Sequence, residues 1–292
     1  MRKTFLAAGA LLCLSLSVSA QVKLTFNPDK GATYLYTSES NSEVKQNIMG
    51  QDFDMKQSMR MSMEMKIADK TATAISEEIT FKSMKLEIES PMFSLGYDSE
   101  NPNKSYGEYD GIIKSILGAM PGKKFTAKLG TDGSVTSVDG MQAIVEEMTK
   151  AVAGDQMGEM LVPQLAGNFS DEAMKAQLEQ NSKIYPAKSV KAGDTWTNKL
   201  NGNASGGVDY TIDITYTLKS TDAKQSVIEW KGTMSSNTQL SITMNGTTTL
   251  DTKTGVPVQI DYTLVTKGTV SAEGMDVEMS NTAKNKITYV KL

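Results

Sequence analysis

The sequence predicts a mainly β protein: long antiparallel strands in a curled, half-open barrel-like or two-lobed sheet, with central helices (about residues 108–183) packed against it. Three observations predict it. Apolar and polar residues alternate over long stretches in both halves of the chain, as in strands with one face in a core and the other in water. Turn-forming residues punctuate these stretches at hairpin spacing. In the middle of the chain the apolar spacing changes from two residues to three or four, the period of a helix stripe.

In the N-terminal half, Tyr34, Tyr36, Val44 and Ile48 share one parity, and a turn near Met49 and Gly50 leads into a strand from about Phe53 to Ile67. In the strand after it, Ile75, Ile79 and Phe81 hold odd positions whereas Met84, Leu86 and Ile88 hold even ones, so a bulge or bend is expected near Ser83. Helical spacing runs from Asp110 to Met120, where Pro121 and Gly122 end it. Phe125 to Leu129 and Val135 to Val138 then flank a turn at Thr131, Asp132 and Gly133. Asp139 is the expected cap of a helix whose Ile144, Val145, Met148 and Val152 form one stripe. Ser170 is the expected cap of another, which runs to about Lys183 before Pro186 and carries Asp171 and Glu172 where acids suit the helix dipole.

In the C-terminal half, Val208, Tyr210, Ile212, Ile214, Tyr216 and Leu218 alternate with polar residues, and the same parity continues through Ile228, Trp230, Met234, Ile242 and Met244 and on to Leu264. Asn245-Gly246 suits a two-residue hairpin, Lys253 to Gly255 a glycine turn, and Glu273-Gly274 a last hairpin. The stretch from Leu129 to Val135 echoes Leu250 to Val258, so the two β halves admit an ancient duplication.

Residues 1–20 read as a secretory signal peptide. Arg2 and Lys3 precede an apolar run from Phe5 to Val18, and small residues lead to expected cleavage after Ala20. The remainder, residues 21–292, is expected to be a single exported domain with a β half (21–105), a helical middle (106–186) and a second β half (187–292). It contains no apolar run of the roughly 20 residues that a membrane-spanning helix needs. The expected location is periplasmic or secreted.

Composition acts mainly by exclusion. The chain has no histidine, and its one cysteine, Cys13, lies within the signal and follows Leu12, a poor context for lipidation. The exported chain therefore cannot build a disulfide, a thiolate nucleophile, a cysteine or histidine zinc site or a histidine-based triad. Loss of Arg2 and Lys3 leaves 28 of the 30 basic residues against 34 acidic ones, a net charge of −6, which argues against nucleic acid as a partner. No cofactor is expected.

The most unusual stretch is Met55, Met59, Met61, Met63 and Met65, all on one face of one strand. A sheet face packed on the core accounts for it, since thioethers fill irregular space. A sharper reading makes Met59, Met61, Met63 and Met65 an adaptable surface for a lipid or other apolar ligand. The sharpest is a Cu(I) site, disfavoured because alternate strand residues stand roughly 6 to 7 Å apart.

Carboxylate pairs for a glycosidase-like hydrolase are available at Glu77-Glu78, Glu146-Glu147, Asp209 and Asp213, but nothing selects a pair. Asp194 with Trp196 suggests a sugar platform less well than a turn leading into a packed strand, and Trp230 falls on the core parity. Asp132-Gly133 lacks the further ligands of a calcium loop.

Gly118-Ala119-Met120-Pro121-Gly122-Lys123-Lys124-Phe125, Asp132-Gly133-Ser134-Val135, and Pro186 with Val190-Lys191-Ala192-Gly193-Asp194-Thr195-Trp196 resemble an uncharacterised family of exported Bacteroidetes-type proteins. The resemblance covers most of the exported chain and implies an envelope location; it brings no catalytic residues. The expected function is a non-enzymatic envelope binding or accessory protein, with a lipid or other apolar ligand, or an envelope protein, as partner. A structural or protein-interaction module and a carboxylate-based hydrolase are the alternatives.

Overall fold

The computed structural model describes residues 21–292 apart from Met49, Glu108, 205–207, 237–238 and 273–274. The expected signal peptide with Cys13 and the expected Glu273-Gly274 hairpin lie outside the described residues. Four strands open the chain: β1 (Thr33–Ile48), β2 (Gln51–Lys70), β3 (Ala74–Glu89) and β4 (Ser94–Asp98). Helix α1 (Asp110–Gly118) precedes β5 (Lys124–Gly130) and β6 (Val135–Asp139). Three helices follow, α2 (Met141–Ala151), α3 (Gln156–Ala166) and α4 (Asp171–Ser182). The second β half comprises β7 (Thr195–Ala204), β8 (Val208–Thr221), β9 (Gln225–Ser236), β10 (Leu240–Asp251), β11 (Pro257–Ala272) and β12 (Met275–Lys291).

These strands form one antiparallel sheet in the order β6-β5-β3-β2-β1-β12-β11-β10-β9-β8-β7, with β4 alongside β3. Hairpins join most neighbours, and the last strand pairs with the first over nearly its whole length, from Tyr34 opposite Lys291 to Asn47 opposite Glu278. The order is that of an up-and-down barrel cut open between β6 and β7. Helices α2 to α4 are the connection across the cut, and α4 packs against both β6 and β7. A curled, half-open barrel with its helices against it is the expected architecture.

Directly opposed residues on paired strands share a face. The register therefore groups Phe81, Met63, Tyr36 and Tyr289 in one row, and Met84, Met61, Ser38, Ile287 and Ile260 in the next. Most of these are core residues: Phe81 and Met63 are each 1% exposed, Tyr36 and Ile287 2%. The opposite face is charged and carries cross-strand ion pairs, Arg60 with Glu39 (3.5 Å), Lys82 with Glu64 (3.4 Å), Lys124 with Glu78 (2.9 Å) and Lys219 with Glu229 (3.2 Å). The sheet is thus apolar inside its curl and wet outside, the reverse of the outward apolar belt on a membrane-spanning barrel.

The expected bulge is present: Ser62 faces Ser83 but Met63 faces Phe81, so one extra residue enters β3 there and the inward parity switches. Ser170 caps α4, its Oγ accepting from the Ala173 N–H at 3.1 Å. Two local expectations are corrected. Asp139 ends β6 and does not cap α2; Gly140 is the N-cap residue, and Asp171 of α4 accepts from the Met141 N–H at 2.9 Å, so the cap comes from another helix. Asn245-Gly246 is not a hairpin turn but the middle of β10. Gly246 faces Trp230 and Tyr262 on the two neighbouring strands, and a Cβ there would meet the Trp230 ring at 2.7 Å and the Tyr262 Cβ at 2.6 Å. The glycine is there for two rings, 5.7 Å apart, to close over the backbone.

The N-terminal segment ties the two halves together. Val22 pairs with Val190, the Phe26 N–H donates to Thr131 O (2.9 Å) in the β5–β6 turn, and the Asn27 N–H donates to Thr254 O (2.7 Å) in the β10–β11 turn. The two turns that echo each other in sequence are thus held by adjacent residues of one segment. Gly255 has φ +67° and its absent Cβ would fall on the Thr25 carbonyl. Gly255→Ala should cost about 3 kcal/mol or more, combining left-handed strain with a backbone clash. A urea midpoint unchanged from wild type would refute that packing.

Candidate functional site

The inside of the curl divides into a closed end under α4 and an open end beyond it. Four side-chain bonds to backbone carbonyls fasten the closed end. Ser182 Oγ donates to Gly133 O (2.6 Å) in the N-terminal half, and Tyr185 Oη to Gly255 O (2.7 Å) in the C-terminal half. From β7, Trp196 Nε1 donates to Ile184 O (3.0 Å) and Asn198 Nδ2 to Lys183 O (2.7 Å). Trp196 also stacks on Tyr216 with ring centroids 5.6 Å apart, so it packs inward as the turn-and-strand reading expects and is no exposed sugar platform.

Beneath this strap the space is small. A cavity of about 30 Å³ lies among Tyr34, Met65, Glu77, Leu178, Tyr185 and Tyr289, and one of about 20 Å³ lies on the other side of α4 near Asn181, Tyr216 and Tyr262. Each has room for a water or two, far below the several hundred Å³ of an ordinary ligand pocket.

Glu77 is the one acidic side chain in the first cavity. It projects inward opposite Ile67, is 2% exposed, and its Oε2 has no hydrogen-bond partner. No lysine or arginine lines the cavity. Burial alone pushes its carboxyl up to about 7, and burial also raises the surrounding Tyr185 and Tyr289 hydroxyls.

The other acidic candidates face water. Glu78, next to Glu77 in sequence, points outward to Lys124; Glu147 pairs with Lys123 (3.4 Å) and Lys150 (3.1 Å); Asp213 pairs with Lys199 (3.6 Å). The Asp209 side chain lies outside the described residues. Asp132 spends Oδ1 on the Ser134 N–H (3.0 Å) and hydroxyl (2.6 Å) of its own turn.

Along the same inner face, burial falls away from the closed end. Met61, Met63 and Met65 are 3%, 1% and 6% exposed and belong to the core, whereas Met59 and Met55 are half-exposed. Of the four candidate ligand-binding methionines, the structure therefore places one, Met59, at an open surface. Its row runs through Leu86, Met59, Ser40, Asn285 and Tyr262, all half-buried. Two rows further out, Val44 and Thr266 are buried at 9% and 7%, while Met55 on one side and Ile242 and Met234 on the other are half-exposed. In the row between, Ser42 and Ala283 are half-exposed and Met244 is 3% exposed, so this end of the curl's inner face is a partly open trough. Leu264, Ile242 and Met234 line its C-terminal wall, residues that alternation alone marks only as core.

No curated protein matches the chain. Among solved structures, the chain is similar to one described as "lipid-protein interactions in lipovitellin", at 10% identity and a TM-score of 0.50, covering 90% of this chain and 25% of that one. This chain thus spans about a quarter of that protein's length. It is also similar to the translocator domain of the autotransporter NalP from Neisseria meningitidis, at 4% identity and a TM-score of 0.32, covering 90% of each chain. The first shows a shared fold. A family model described as "family of unknown function (DUF6263)" matches residues 73–257, which takes in β3 to β10 with all four helices and both glycine turns. The chain belongs to the DUF6263 family.

Proposed function

We propose that this protein is an exported, non-enzymatic binding protein of the cell envelope that holds an apolar ligand such as a lipid at the open end of its half-barrel. One observation carries the reading: a continuous, largely apolar inner face that is sealed at one end becomes half-exposed at the other. Scattered exposed apolar residues are ordinary, but a concave, contiguous set on the core side of a sheet leaves apolar surface in water unless something occupies it. Methionines in that wall adapt to flexible ligands. The fold shared with lipovitellin, whose structure is described by its lipid interactions, supports the reading, as does a helix strap that occupies only one end. The export signal is the support for the envelope location.

The test is native mass spectrometry of the protein purified without detergent from its own host's envelope, followed by organic extraction. The expected result is a stoichiometric apolar adduct, lost in Met59→Asp and Leu264→Asp variants whose unfolding midpoints stay near wild type. A bare protein that also takes up no added lipid would overturn the proposal. The search would then move to a protein-interaction module, with Met157 (39% exposed) and Met160 (63%) of α3 as the first surface to mutate.

A further inference from the structure

The buried carboxyl of Glu77 is walled by strands and roofed by a helix end. Ile67 of β2 and Ala127 of β5 stand directly opposite it, and Tyr34 of β1 and Tyr289 of β12 also line its cavity. All of these are held by the backbone ladders of the sheet. The roof is the C-terminal end of α4, with Leu178, Asn181 and Ser182, and Tyr185 just beyond it. It reaches the sheet through side chains only. Ser182 and Tyr185 donate to the carbonyls of Gly133 and Gly255, and Asn198 and Trp196 of β7 donate to those of Lys183 and Ile184. The N-terminal end of α4 has a separate anchor, Asp171 on the Met141 N–H. The C-terminal end can therefore lift while the rest of the helix and the sheet stay in place.

A neutral carboxyl tolerates the Glu77 site, whereas a carboxylate without water, donor or counter-ion is far costlier to bury. The titratable groups facing it are Tyr34, Tyr185 and Tyr289; burial raises all three hydroxyls, so they stay neutral and supply no positive charge. Charged residues of the surrounding segments line no part of the cavity. Lys183 pairs with Glu179 (3.3 Å) and Asp29 with Lys291 (3.2 Å), while Asp132 and Asp251 accept hydrogen bonds within their own turns. A cavity of about 30 Å³ holds too little water to solvate an ion. An ionised Glu77 gains more only if the cavity opens, and the roof breaks at lower cost than the sheet.

We infer that Glu77 is a pH-sensitive latch on the α4 strap: protonated, it lets the C-terminal end of α4 seat over the closed end of the curl; ionised, it releases that end and admits water beneath it. The latch stands without the lipid-binding reading, because its test uses no ligand. The sign follows from burial. With the strap seated the carboxyl is pushed up to about 7, and in a lifted, solvated strap it returns to 4.5, so seating is fully favoured below 4.5 and is weakened as pH rises to about 7. Between pH 4.5 and 8.5 the opening constant should rise by about a hundredfold.

The experiment is hydrogen–deuterium exchange of the chain from Gln21 on, resolved by peptide and compared at each pH with Glu77→Gln, so that the intrinsic pH dependence of exchange cancels. Amides from Leu178 to Tyr185 should exchange about a hundredfold faster in the wild type than in the variant at pH 8.5, and within about threefold of it at pH 4.5. Amides around Tyr36 and Met63 in the central strands report opening of the whole fold. In the wild type at pH 8.5 the α4 amides should exchange well ahead of them. Strap amides no faster than the central strands at pH 8.5 would overturn the latch, because ionisation would then weaken the fold as a whole. A ratio of wild type to variant that is the same at both pH values would also overturn it, because Glu77 would then titrate without moving the strap. Either failure leaves the lipid-binding reading untouched, and a bare protein in the adduct test leaves the latch untouched.

Discussion

Glu77→Gln should make the protein more stable at pH 8 by about 3 kcal/mol while changing it little at pH 4.5. The carboxyl is 2% exposed, has no basic neighbour in its cavity, and is pushed from 4.5 in the free side chain to about 7 by burial. Below about pH 4.5 it is protonated in the folded and unfolded chains alike, and its titration affects neither. Between 4.5 and about 7 the folded protein keeps a proton that the unfolded chain has released, so stability falls as pH rises. Above about 7 both states are ionised and the whole loss is in place: two and a half units at 1.36 kcal/mol each, or about 3 kcal/mol.

Glutamine keeps the shape of the protonated acid and cannot ionise, so the difference between variant and wild type isolates this group from every other carboxylate. Asp132 and Asp251 shift the opposite way, held low chiefly by hydrogen bonds in their own turns, and their contribution cancels in that difference. Urea unfolding from pH 4.5 to 8.5 measures it. Parallel profiles for the two proteins would mean that Glu77 is solvated or paired in the folded state. Glu77→Leu should be stabilising at both ends of the range, because it also removes an unpaired buried oxygen.

That carboxyl shows where sequence reading stopped. Glu77 and Glu78 are a pair of adjacent acids, ordinarily a solvated strand face, and only the pairing of Ile67 with Glu77 reveals that one of them points into the core. Most of the fold was legible because strand alternation and helix spacing are local: the β3 bulge at Ser83 shows as a parity switch, and the Ser170 cap as a residue type. What failed was the assignment of local signals whose cause is distant. Asn245-Gly246 has the composition of a hairpin, yet the glycine answers to two aromatic rings on neighbouring strands. Asp139 sits where a cap belongs, yet Asp171, thirty residues on from the Met141 N–H, does the capping. The trough was half legible. Five methionines at alternate positions mark a face, but whether a position is sealed or open depends on how far the α4 strap reaches along the sheet.

The methionine strand should therefore divide into two behaviours under the same substitution. Met63 is 1% exposed and shares a row with Tyr36 and Phe81, whose ring lies 5.4 Å from that of Phe125. Met63→Ala leaves a hole that aromatic neighbours fixed by the sheet cannot fill, and should cost about 2 to 5 kcal/mol. Met59 is four residues away on the same face, half-exposed between Ser40 and Leu86. Water already reaches it, so Met59→Ala creates no closed cavity and should cost about 1 kcal/mol or less. Ligand binding should reverse the order, with Met59→Ala weakening retention of an apolar adduct and Met63→Ala, at a temperature where it stays folded, retaining it. Urea midpoints and adduct mass on the same two variants separate the roles. Equal unfolding costs would mean that both ends of the face are closed alike, and the trough would then have no room for a ligand to lie against Met59.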